Sequence, residues 1–335
     1  MRILITGAFG NVGRSTIRAV ETRGDQVVIY EADTTRNRRL AKKLAAGHPC
    51  HFGDIRDRSR LEQALRGVDA VCHLAAIIPP AADLKPELAH AINVGGTQAL
   101  IEAVRAMASK ENRPPARIVY ASSIAAYGDR LRTPWIKTSD PLEPSEGDEY
   151  GKSKLEAEGF LRASGLPFVV LRLTYIVWRK KLARDPLMFH MPLETGIEIC
   201  HTEDTGRAFA AAAVLPEALG KTLNIGGGES CRTTYRGYLD RMLRIFGLGG
   251  IGFMPEKAFA ASGFHCGWYA DSDEAEKLLG FRKKGLEDYY AEVVEEARWT
   301  RIGASLFRSI ARSRLLATSP FITRAKRGFQ EVARA

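Results

Sequence analysis

The stretch "RILITGAFGNVGRSTIRAV", residues 2–20, sets the expectation for the fold of the whole chain. An apolar run of strand length passes through a Gly-rich turn into an amphipathic segment, which predicts a strand, a tight loop and a helix. The same alternation continues through "QVVIY", "PCHF", "DAVCHLA", "RIVYASS" and "PFVVLRL", with helix-like segments at 36–46, 57–66, 86–108 and 150–164 between them. It predicts an α/β fold with a doubly wound parallel sheet and helices on both faces.

Beyond residue 172 the alternation weakens into a region punctuated by Pro and Gly, with helix-like stretches at 204–214, 233–246, 273–279 and 286–297. We therefore expect a division of the chain into three parts. Residues 1–172 form the sheet domain, to which 199–226 return; residues 173–198 and 227–297 form a smaller substrate lobe; residues 298–335 form a basic amphipathic extension. The lobe should cover the carboxyl edge of the sheet, where such folds bind their ligands.

Composition narrows the class of protein. The chain has 335 residues, of which 45% are apolar, so it can build a sizeable core. We find no apolar run of about 18 residues and no signal-peptide pattern, and the five cysteines are scattered, which predicts a cytoplasmic protein with reduced thiols. Residues 298–335 hold nine Arg or Lys and one Glu, so the tail carries +8 of the net charge of +10. The nearly neutral body argues against nucleic-acid binding.

The first strand-to-helix turn is typical of a dinucleotide-phosphate cradle, because glycines there allow a tight turn and a close approach of the backbone. The loop residues expected to contact such a cofactor are Gly7, Phe9, Gly10, Asn11, Val12 and Gly13. Glu31 follows the second strand at about the spacing of an acid that binds the adenosine ribose. An acid repels a 2′-phosphate, so NAD is favoured over NADP. Arg36, Arg38 and Arg39 leave NADP open as the alternative.

Further stretches, "GDIRD", "HLAA", "NVGGT" and "EYGKSK", occur in the order expected of one family. The chain resembles the extended short-chain dehydrogenase/reductases, also called the NAD-dependent epimerase/dehydratase family, over roughly residues 1–295. The resemblance implies a Rossmann domain in which Asp54 and Ile55 hold the adenine, Leu74 to Ala76 run along the cofactor, and Asn93 steadies the active-site region. Ser122 and Leu173 are further expected cofactor contacts, together with Ala75 in the middle of the "HLAA" stretch.

The same resemblance implies a catalytic set of Ser123, Tyr150 and Lys154. Residues i and i+4 share one helix face, so the Lys154 ammonium can lie near both the Tyr150 phenol and the nicotinamide ribose. A neighbouring cation favours the phenolate. Tyr150 is then expected to exchange a proton with a substrate hydroxyl or carbonyl as hydride moves at carbon, while Ser123 hydrogen-bonds the same oxygen.

Departures from the family pattern bear on the reaction. Ile124 and Ala125 stand where dehydratases carry acids, and Ile197, Glu198 and Ala261 stand where epimerases carry diphosphate-binding arginines. We therefore expect an NAD-dependent oxidoreductase acting on a secondary alcohol or ketone without a nucleotide, such as a free sugar, a steroid-like molecule or another small carbonyl compound. The residues expected to line its pocket are Ile78, Ser123, Tyr127, Tyr175, Trp178, Met188, His190, His265 and Trp268.

Two other functions stay open. A sugar or nucleotide-sugar epimerase with tightly bound NAD is the alternative, with the cations at 179–181 as phosphate ligands. A non-enzymatic, cofactor-sensing module is the third class, which the joint presence of Ser123, Tyr150 and Lys154 disfavours. No metal site is expected, since His201, His265 and Cys266 lack ligand-like spacing.

The tail and the oligomeric state are predicted less sharply. Trp299, Ile302, Leu306 and Ile310 recur at helical spacing, with Arg301, Arg308, Arg312 and Arg314 elsewhere on the turn. Such a basic amphipathic helix packs on its own domain, forms a dimer contact or lies on an anionic membrane surface. The family resemblance implies a homodimer through the helices at 86–108 and 150–164.

Overall fold

The computed structural model describes residues 1–45, 47–180 and 187–322. Its strands are β1 (Arg2–Thr6), β2 (Gln26–Glu31), β3 (Cys50–Phe52), β4 (Ala70–His73), β5 (Arg117–Ser123), β6 (Trp135–Ile136), β7 (Phe168–Leu173), β8 (Tyr175–Val177), β9 (Gly196–His201), β10 (Thr222–Ile225), β11 (Arg232–Thr234) and β12 (Trp268–Tyr269). Its α-helices are α1 (Asn11–Thr22), α2 (Thr35–Leu44), α3 (Arg58–Ala64), α4 (Ala81–Leu84), α5 (Pro86–His90), α6 (Gly96–Lys110), α7 (Glu149–Ala163), α8 (Thr202–Ala212), α9 (Tyr235–Ile245), α10 (Ser272–Leu279), α11 (Leu286–Leu306) and α12 (Arg308–Ala317).

The predicted doubly wound α/β fold is confirmed. Seven parallel strands lie in the order β10-β7-β5-β4-β1-β2-β3, and helices cover both faces. The strand order reverses between β1 and β4, which opens a crevice at their carboxyl ends. The loop after β1 and the segment after β4 border that crevice. The parallel pairing of β1 and β4 thus places the glycine-rich loop beside the segment that follows β4, although the two are about 65 residues apart in the chain.

The single helix expected at 86–108 is instead three consecutive pieces. Helix α5 leads into one π-helical turn, Ala91–Gly95, before α6 begins. The turn carries Asn93, whose side chain is hydrogen-bonded to the backbone of Ile77 and to Ser153 rather than exposed on a helix surface. Such turns are frequent at functional sites because they redirect one side chain.

Smaller sheets build the part of the chain that lies beyond β7. Strand β9 pairs in parallel with β8 and antiparallel with β11, and β12 pairs with β6. A separate apolar core forms there around Tyr238, Met242 and Tyr289, with helices α9 and α11 packed together. Strand β10, in contrast, joins the edge of the main sheet beside β7.

The structure corrects one of the alternatives predicted for the stripe of apolar residues in the C-terminal tail. Helix α11 ends at Leu306 and α12 starts at Arg308, so the predicted basic helix is broken at Phe307. Trp299, Ile302, Leu306 and Ile310 are exposed to solvent. Packing of this stripe on its own domain is therefore wrong, and other residues of the tail, Leu315 and Leu316 among them, contact the core.

Helices α1 and α8 pack closely against each other. A Cβ atom at Gly206 would lie 2.4 Å from the backbone carbon of Ser15. The two backbones can approach this closely only because residue 206 lacks a side chain.

Replacing Gly206 by Ala should therefore lower the free energy of unfolding by about 1–3 kcal/mol, the usual cost of an overpacked core. The matched control is Gly159→Ala in α7, where a Cβ atom meets nothing within 4 Å. That change should raise the free energy of unfolding by about 0.5–1 kcal/mol through helix propensity. Urea unfolding of both variants measures the difference, and equal stabilities would contradict the close α1–α8 contact.

Candidate active site

The glycine loop after β1 closes tightly against the segment that follows β4. A Cβ atom at Gly7, which has a φ of +66°, would lie 2.8 Å from the amide nitrogen of Ala75, and one at Gly13 would lie 2.4 Å from the carbonyl oxygen of Gly7. Gly10 begins α1 without a side-chain cap, and no acid lies in the first turn. The first amides of α1 are thus available to an anion. This cradle fits the pyrophosphate of a dinucleotide.

Glu31, at the end of β2, faces the same loop. Its carboxylate accepts hydrogen bonds from the backbone amide of Phe9 at 2.8 Å, the amide of Ala32 at 3.1 Å and the side chain of Asn37 at 2.9 Å. Burial raises the pKa of Glu31, and the two backbone hydrogen bonds oppose that shift. The acid expected at the ribose therefore lies where the sequence predicts it, and its role stays a prediction.

The basic cluster after Glu31 is partly engaged elsewhere. Arg38 makes a two-point ion pair with Asp33 and lies over the ring of Phe52 at 4.9 Å. Arg36 lies close enough to Glu31 for its charge to oppose the rise in the pKa of that carboxyl, which burial still raises overall. The preference for NAD over NADP therefore rests on the Glu31 carboxylate, and the role of that carboxylate stays a prediction.

The expected adenine contacts follow β3. The Asp54 carboxylate is half-exposed and makes a two-point ion pair with Arg56, while the Tyr30 hydroxyl donates to the carbonyl oxygen of Asp54 at 2.8 Å. Ile55 is buried, and its side chain contacts α6 where Gly96 leaves space for it. Both residues line the region that the resemblance assigns to adenine, and their roles stay predictions.

The segment after β4 is held in place from two sides. The amides of Leu74 and Ala75 donate to the Thr6 hydroxyl at 3.2 Å each, which fixes the segment beside the glycine loop. Asn93 accepts from the amide of Ile77 at 2.8 Å and donates to the Ser153 hydroxyl of α7 at 3.1 Å. Ala76 therefore lies between two anchored points, and Asn93 also links this segment to α7.

Strand β5 and helix α7 bring Ser123, Tyr150 and Lys154 together. Ser123 ends β5, where its hydroxyl accepts from the amide of Ala125 at 3.1 Å, and it shares a hydrogen bond with Tyr150. The Lys154 ammonium donates to the carbonyl oxygen of Ala121 at 2.8 Å and lies 5.8 Å from the centre of the Tyr150 ring. The three residues thus occupy one edge of the crevice, as the i, i+4 spacing predicts.

Burial shifts both titrating groups of this set. It raises the pKa of the Tyr150 phenol to about 12, with the Ser123 hydrogen bond acting against the rise and the Asp148 charge adding to it. Burial lowers the pKa of the Lys154 ammonium to about 7, and the Glu158 carboxylate opposes this shift only in part. Paired, strongly perturbed groups in a cleft are typical of functional sites.

A buried polar network supports the set from behind. Glu158, one turn beyond Lys154, makes a two-point ion pair with Arg172 of β7 at 3.0 and 2.8 Å and accepts a hydrogen bond from Ser122. Arg172 also donates to the Tyr127 hydroxyl at 2.8 Å. Sequence reasoning missed Glu158, although Tyr150, Lys154 and Glu158 recur at intervals of four on one helix face. Ser122, expected at the cofactor, instead directs its hydroxyl into this network.

A second polar contact joins α7 to the C-terminal part of the chain. Asp148 caps α7 by accepting from the amide of Gly151 at 2.8 Å, and its other oxygen lies 3.0 Å from Nδ1 of His265. Burial raises the pKa of Asp148, but the interactions with His265, the Gly151 amide and Lys152 together outweigh burial and bring that pKa below its usual value. His265 thus contacts the residue two positions before Tyr150, beside the candidate site.

Two of the expected pocket residues need correction. Tyr127 is buried, and its hydroxyl is held by Asn224 at 2.9 Å and by Arg172, so it supports β5 rather than facing a substrate. Met188 is buried in the second apolar core, and its carbonyl oxygen accepts from Tyr235. Sequence position alone did not distinguish a pocket wall from a core residue.

The other expected pocket residues lie at varied positions, and their roles stay predictions. Ile78 is exposed beside the segment after β4. Tyr175 and Trp178 are partly buried, and the Tyr175 ring packs edge-on against Tyr238. Trp268 packs against Trp135 and donates to the carbonyl oxygen of Thr233 at 3.1 Å. Leu173, an expected cofactor contact, ends β7 beside Ser123 of β5.

The positions that lack diphosphate-binding arginines have structural roles. Ile197 is completely buried in β9. Glu198 is also completely buried, and it accepts hydrogen bonds from Arg232, Ser272 and the amides of Gly228 and Tyr269. The acid at position 198 therefore joins β9 to the loops around it rather than leaving space for a phosphate.

The cations proposed to replace those arginines are paired as well. Arg179 lies 3.3 Å from Glu295, and Lys180 lies 2.9 Å from Glu296, both on α11. The third cation, Lys181, lies outside the described residues. Among the described residues, no group of three or more His, Cys, Asp or Glu is arranged to hold a metal ion. Within the same residues, no helix has the length and apolar character needed to cross a bilayer.

The fold and this crevice define a dinucleotide-binding protein with a Ser, Tyr and Lys set beside the cofactor cradle. The model of the NAD dependent epimerase/dehydratase family matches residues 3–180. Because that match covers more than half of the chain, the protein belongs to this family.

Individual relatives match part of the chain. It is 32% identical over 179 residues to UDP-glucose 4-epimerase of Lacticaseibacillus casei, covering 51% of this chain and 50% of the relative. It is 31% identical over 165 residues to sterol demethylase protein B of Methylococcus capsulatus, covering 47% and 45%. These alignments span about half the length of the curated relatives.

A solved structure extends the likeness of the fold over nearly the whole chain. UDP-glucose-4-epimerase of Stenotrophomonas maltophila, crystallised with NAD and formylated UDP-arabinopyranose, superposes with a TM-score of 0.72 at 21% identity. The superposition covers 91% of this chain and all of that one. At this level of identity the likeness concerns the fold alone.

The shifted pKa of Lys154 predicts a pH-dependent stability. Below about pH 7 Lys154 is protonated in the folded chain, where a buried charge is unfavourable. Between the folded pKa of about 7 and the ordinary value of 10.5, Lys154 keeps its proton only in the unfolded chain. Wild-type stability should therefore rise with pH across this window, relative to a Lys154→Met variant. In thermal unfolding, the melting temperature of Lys154→Met relative to wild type should be highest near about pH 6 and lower near about pH 10.

The matched control is Lys152→Met on the exposed side of the same helix. Its melting temperature relative to wild type should stay nearly constant between about pH 6 and 9, because an exposed ammonium is charged in both states there. If the difference in melting temperature between Lys154→Met and wild type does not change with pH, Lys154 is fully charged in the folded protein.

Proposed function

We propose that this protein is an NAD-dependent oxidoreductase that transfers hydride between nicotinamide and a secondary alcohol or ketone without a nucleotide. The observation that carries the proposal is the convergence of Ser123, Tyr150 and Lys154 at the crevice beside the glycine loop. NAD binding is supported by the Gly7 to Gly13 cradle and by the position of Glu31. The Stenotrophomonas structure with bound NAD supports the same cofactor.

Bound NAD supplies the hydride acceptor or donor, and the protein side chains handle the proton. Tyr150 gives its hydroxyl proton to a carbonyl oxygen, or takes one from an alcohol. Ser123 holds that oxygen through its hydroxyl, at the end of β5. A charged Lys154 ammonium, held by the carbonyl oxygen of Ala121, stabilises the phenolate and so counteracts the burial that raises the pKa of Tyr150. Asn93 and Glu158 keep α7 in the position that this transfer needs.

Several features favour an alcohol or ketone over a nucleotide sugar. Ile197 and Glu198 are buried parts of the lobe core, and Arg179 and Lys180 are paired with acids on α11. A diphosphate needs charge-assisted donors, which these residues do not offer. Ile124 and Ala125 are buried and apolar, so no acid stands there to help eliminate water. Similarity to a sterol demethylase protein supports a substrate class that includes sterols.

An epimerase remains the second candidate, because several of the matched relatives are UDP-glucose 4-epimerases. The same proton transfer at Tyr150 serves that reaction, with the nicotinamide oxidised again at the end of the cycle.

A homodimer through α6 and α7 accompanies either function in our proposal. Leu88 and Phe160, exposed apolar residues on α5 and α7, lie near that surface.

The purified protein, supplied with NAD, should reduce it in the presence of a hydroxysteroid, a free sugar or another simple secondary alcohol. Absorbance of NADH follows the reaction, and chromatography identifies the product. Conversion of a UDP-sugar into its epimer without net NADH would replace the oxidoreductase proposal by the epimerase.

Replacing Tyr150 by Phe should lower kcat by about 10²–10⁴-fold, because the proton-transfer group is lost. NAD affinity, measured by calorimetry, should change little, since the ring and Lys154 remain. Tyr290→Phe, in the lobe core and away from the crevice, is the matched control and should keep wild-type turnover. Unchanged turnover in Tyr150→Phe would remove Tyr150 from the chemistry.

Replacing Glu31 by Ala should shift the ratio of NAD to NADP affinity toward NADP by about tenfold or more, because the repelling carboxylate is removed. Glu21→Ala serves as the control, since Glu21 pairs with His48 near the opposite end of α1. Binding of both cofactors is measured by calorimetry. An unchanged ratio would mean that Glu31 stabilises the loop through Phe9 without reading the ribose.

A further inference from the structure

Helices α11 and α12 carry a group of large exposed apolar residues outside the candidate site. Its members are Trp299, Ile302, Leu306, Phe307 and Ile310, and between 54% and 75% of each is exposed. We call this set the C-terminal apolar face. Single exposed apolar residues are ordinary on a protein surface, but a contiguous group of large ones marks a binding surface.

The face is held in a fixed position on the protein. Arg308 donates to the carbonyl oxygen of Gly247 at 3.1 Å, and Arg312 donates to that of Leu248 at 2.8 Å and lies over the Phe253 ring. Farther along, the buried Ser319 donates to the carbonyl oxygen of Ala258 at 2.6 Å. These contacts anchor α12 and the residues that follow it, while the members of the C-terminal apolar face stay exposed.

The charge has one sign over residues 297–322, whereas Glu295 and Glu296, one turn before Trp299, pair with Arg179 and Lys180. Residues 297–322 contain five arginines and no Asp or Glu. Arg308 and Arg312 anchor the helices, whereas Arg298, Arg301 and Arg314 are exposed next to the face. The sequence adds Arg324, Lys326, Arg327 and Arg334 beyond the described residues, with one acid, Glu331. A partner for this surface therefore has to be both anionic and able to accept apolar side chains.

A second copy of the chain fits this requirement poorly. A symmetric contact through the face would place the same arginines opposite each other, and like charges at an interface cost binding energy. An anionic bilayer meets both conditions, because its headgroups attract the arginines while its acyl boundary receives Trp299, Ile302 and Leu306. We propose that the C-terminal apolar face binds the surface of a membrane rich in anionic lipid.

The proposal predicts binding that depends on both lipid charge and apolar side chains. The full chain should sediment with vesicles of equal parts phosphatidylcholine and phosphatidylserine, and much less with phosphatidylcholine alone. Added salt should weaken the binding, because it screens the arginines. The double variant Ile302→Ser, Leu306→Ser should bind the mixed vesicles at least about tenfold more weakly, through lost apolar contact.

Leu219→Ser is the matched control, since Leu219 is an exposed leucine on another surface. It should bind vesicles as wild type does, and the double variant should keep wild-type thermal stability and NAD binding. A second variant, Arg298→Gln with Arg301→Gln, should lose most of the difference between the two vesicle types.

Four results would overturn the proposal. The first is that the wild-type protein does not sediment with the anionic vesicles. The second is that the double variant sediments with them as well as the wild type does. Alternatively, light scattering shows a dimer that the double variant abolishes while vesicles bind neither protein, which would make the face a subunit interface. Finally, the protein binds DNA as strongly as it binds the anionic vesicles, and this binding is lost in the Arg298→Gln, Arg301→Gln variant but kept in the Ile302→Ser, Leu306→Ser variant. That result would assign the surface to a nucleic acid.

Discussion

The buried ion pair between Glu158 and Arg172 positions the candidate site. It joins α7 to β7 with two charge-assisted contacts, both out of water, and the Ser122 hydroxyl adds a third partner for the carboxylate. Removing one member of such a pair leaves an uncompensated buried charge and costs about 3–5 kcal/mol. The direction of α7 over β5, and with it the place of Lys154 and Tyr150, depends on this pair.

The same low-dielectric surroundings that strengthen the ion pair also perturb the candidate catalytic set. Lys154 shares its helix face with Glu158 but has the Ala121 carbonyl and the Tyr120 ring as direct partners, so its charge is only partly compensated. Tyr150 is affected in the opposite sense, since burial disfavours the phenolate. Burial thus brings the pKa of Lys154 close to neutral pH and moves that of Tyr150 away from it, so the phenolate needs a positive charge beside it before Tyr150 can accept a proton.

A different buried charge organises the segments around β9. Glu198 is completely buried, and it gathers Arg232, Ser272 and two backbone amides. Its four donors satisfy the carboxylate without water, which is how a completely buried acid is tolerated. Ile197 and Glu198 are thus neighbouring buried residues of β9, and neither offers a positive charge to a phosphate.

Local sequence patterns were sufficient to predict the class of fold, the glycine cradle, Glu31 and the Ser123, Tyr150 and Lys154 set. These features depend on local periodicity and on short, ordered motifs, which can be recognised without knowledge of distant contacts. The same patterns could not show that Tyr127 and Met188 are core residues, that Glu158 pairs with Arg172, that His265 contacts Asp148, or that the C-terminal apolar face is exposed. Each of those depends on which distant segments pack together, and a side chain's burial is set by those neighbours rather than by its own position in the chain.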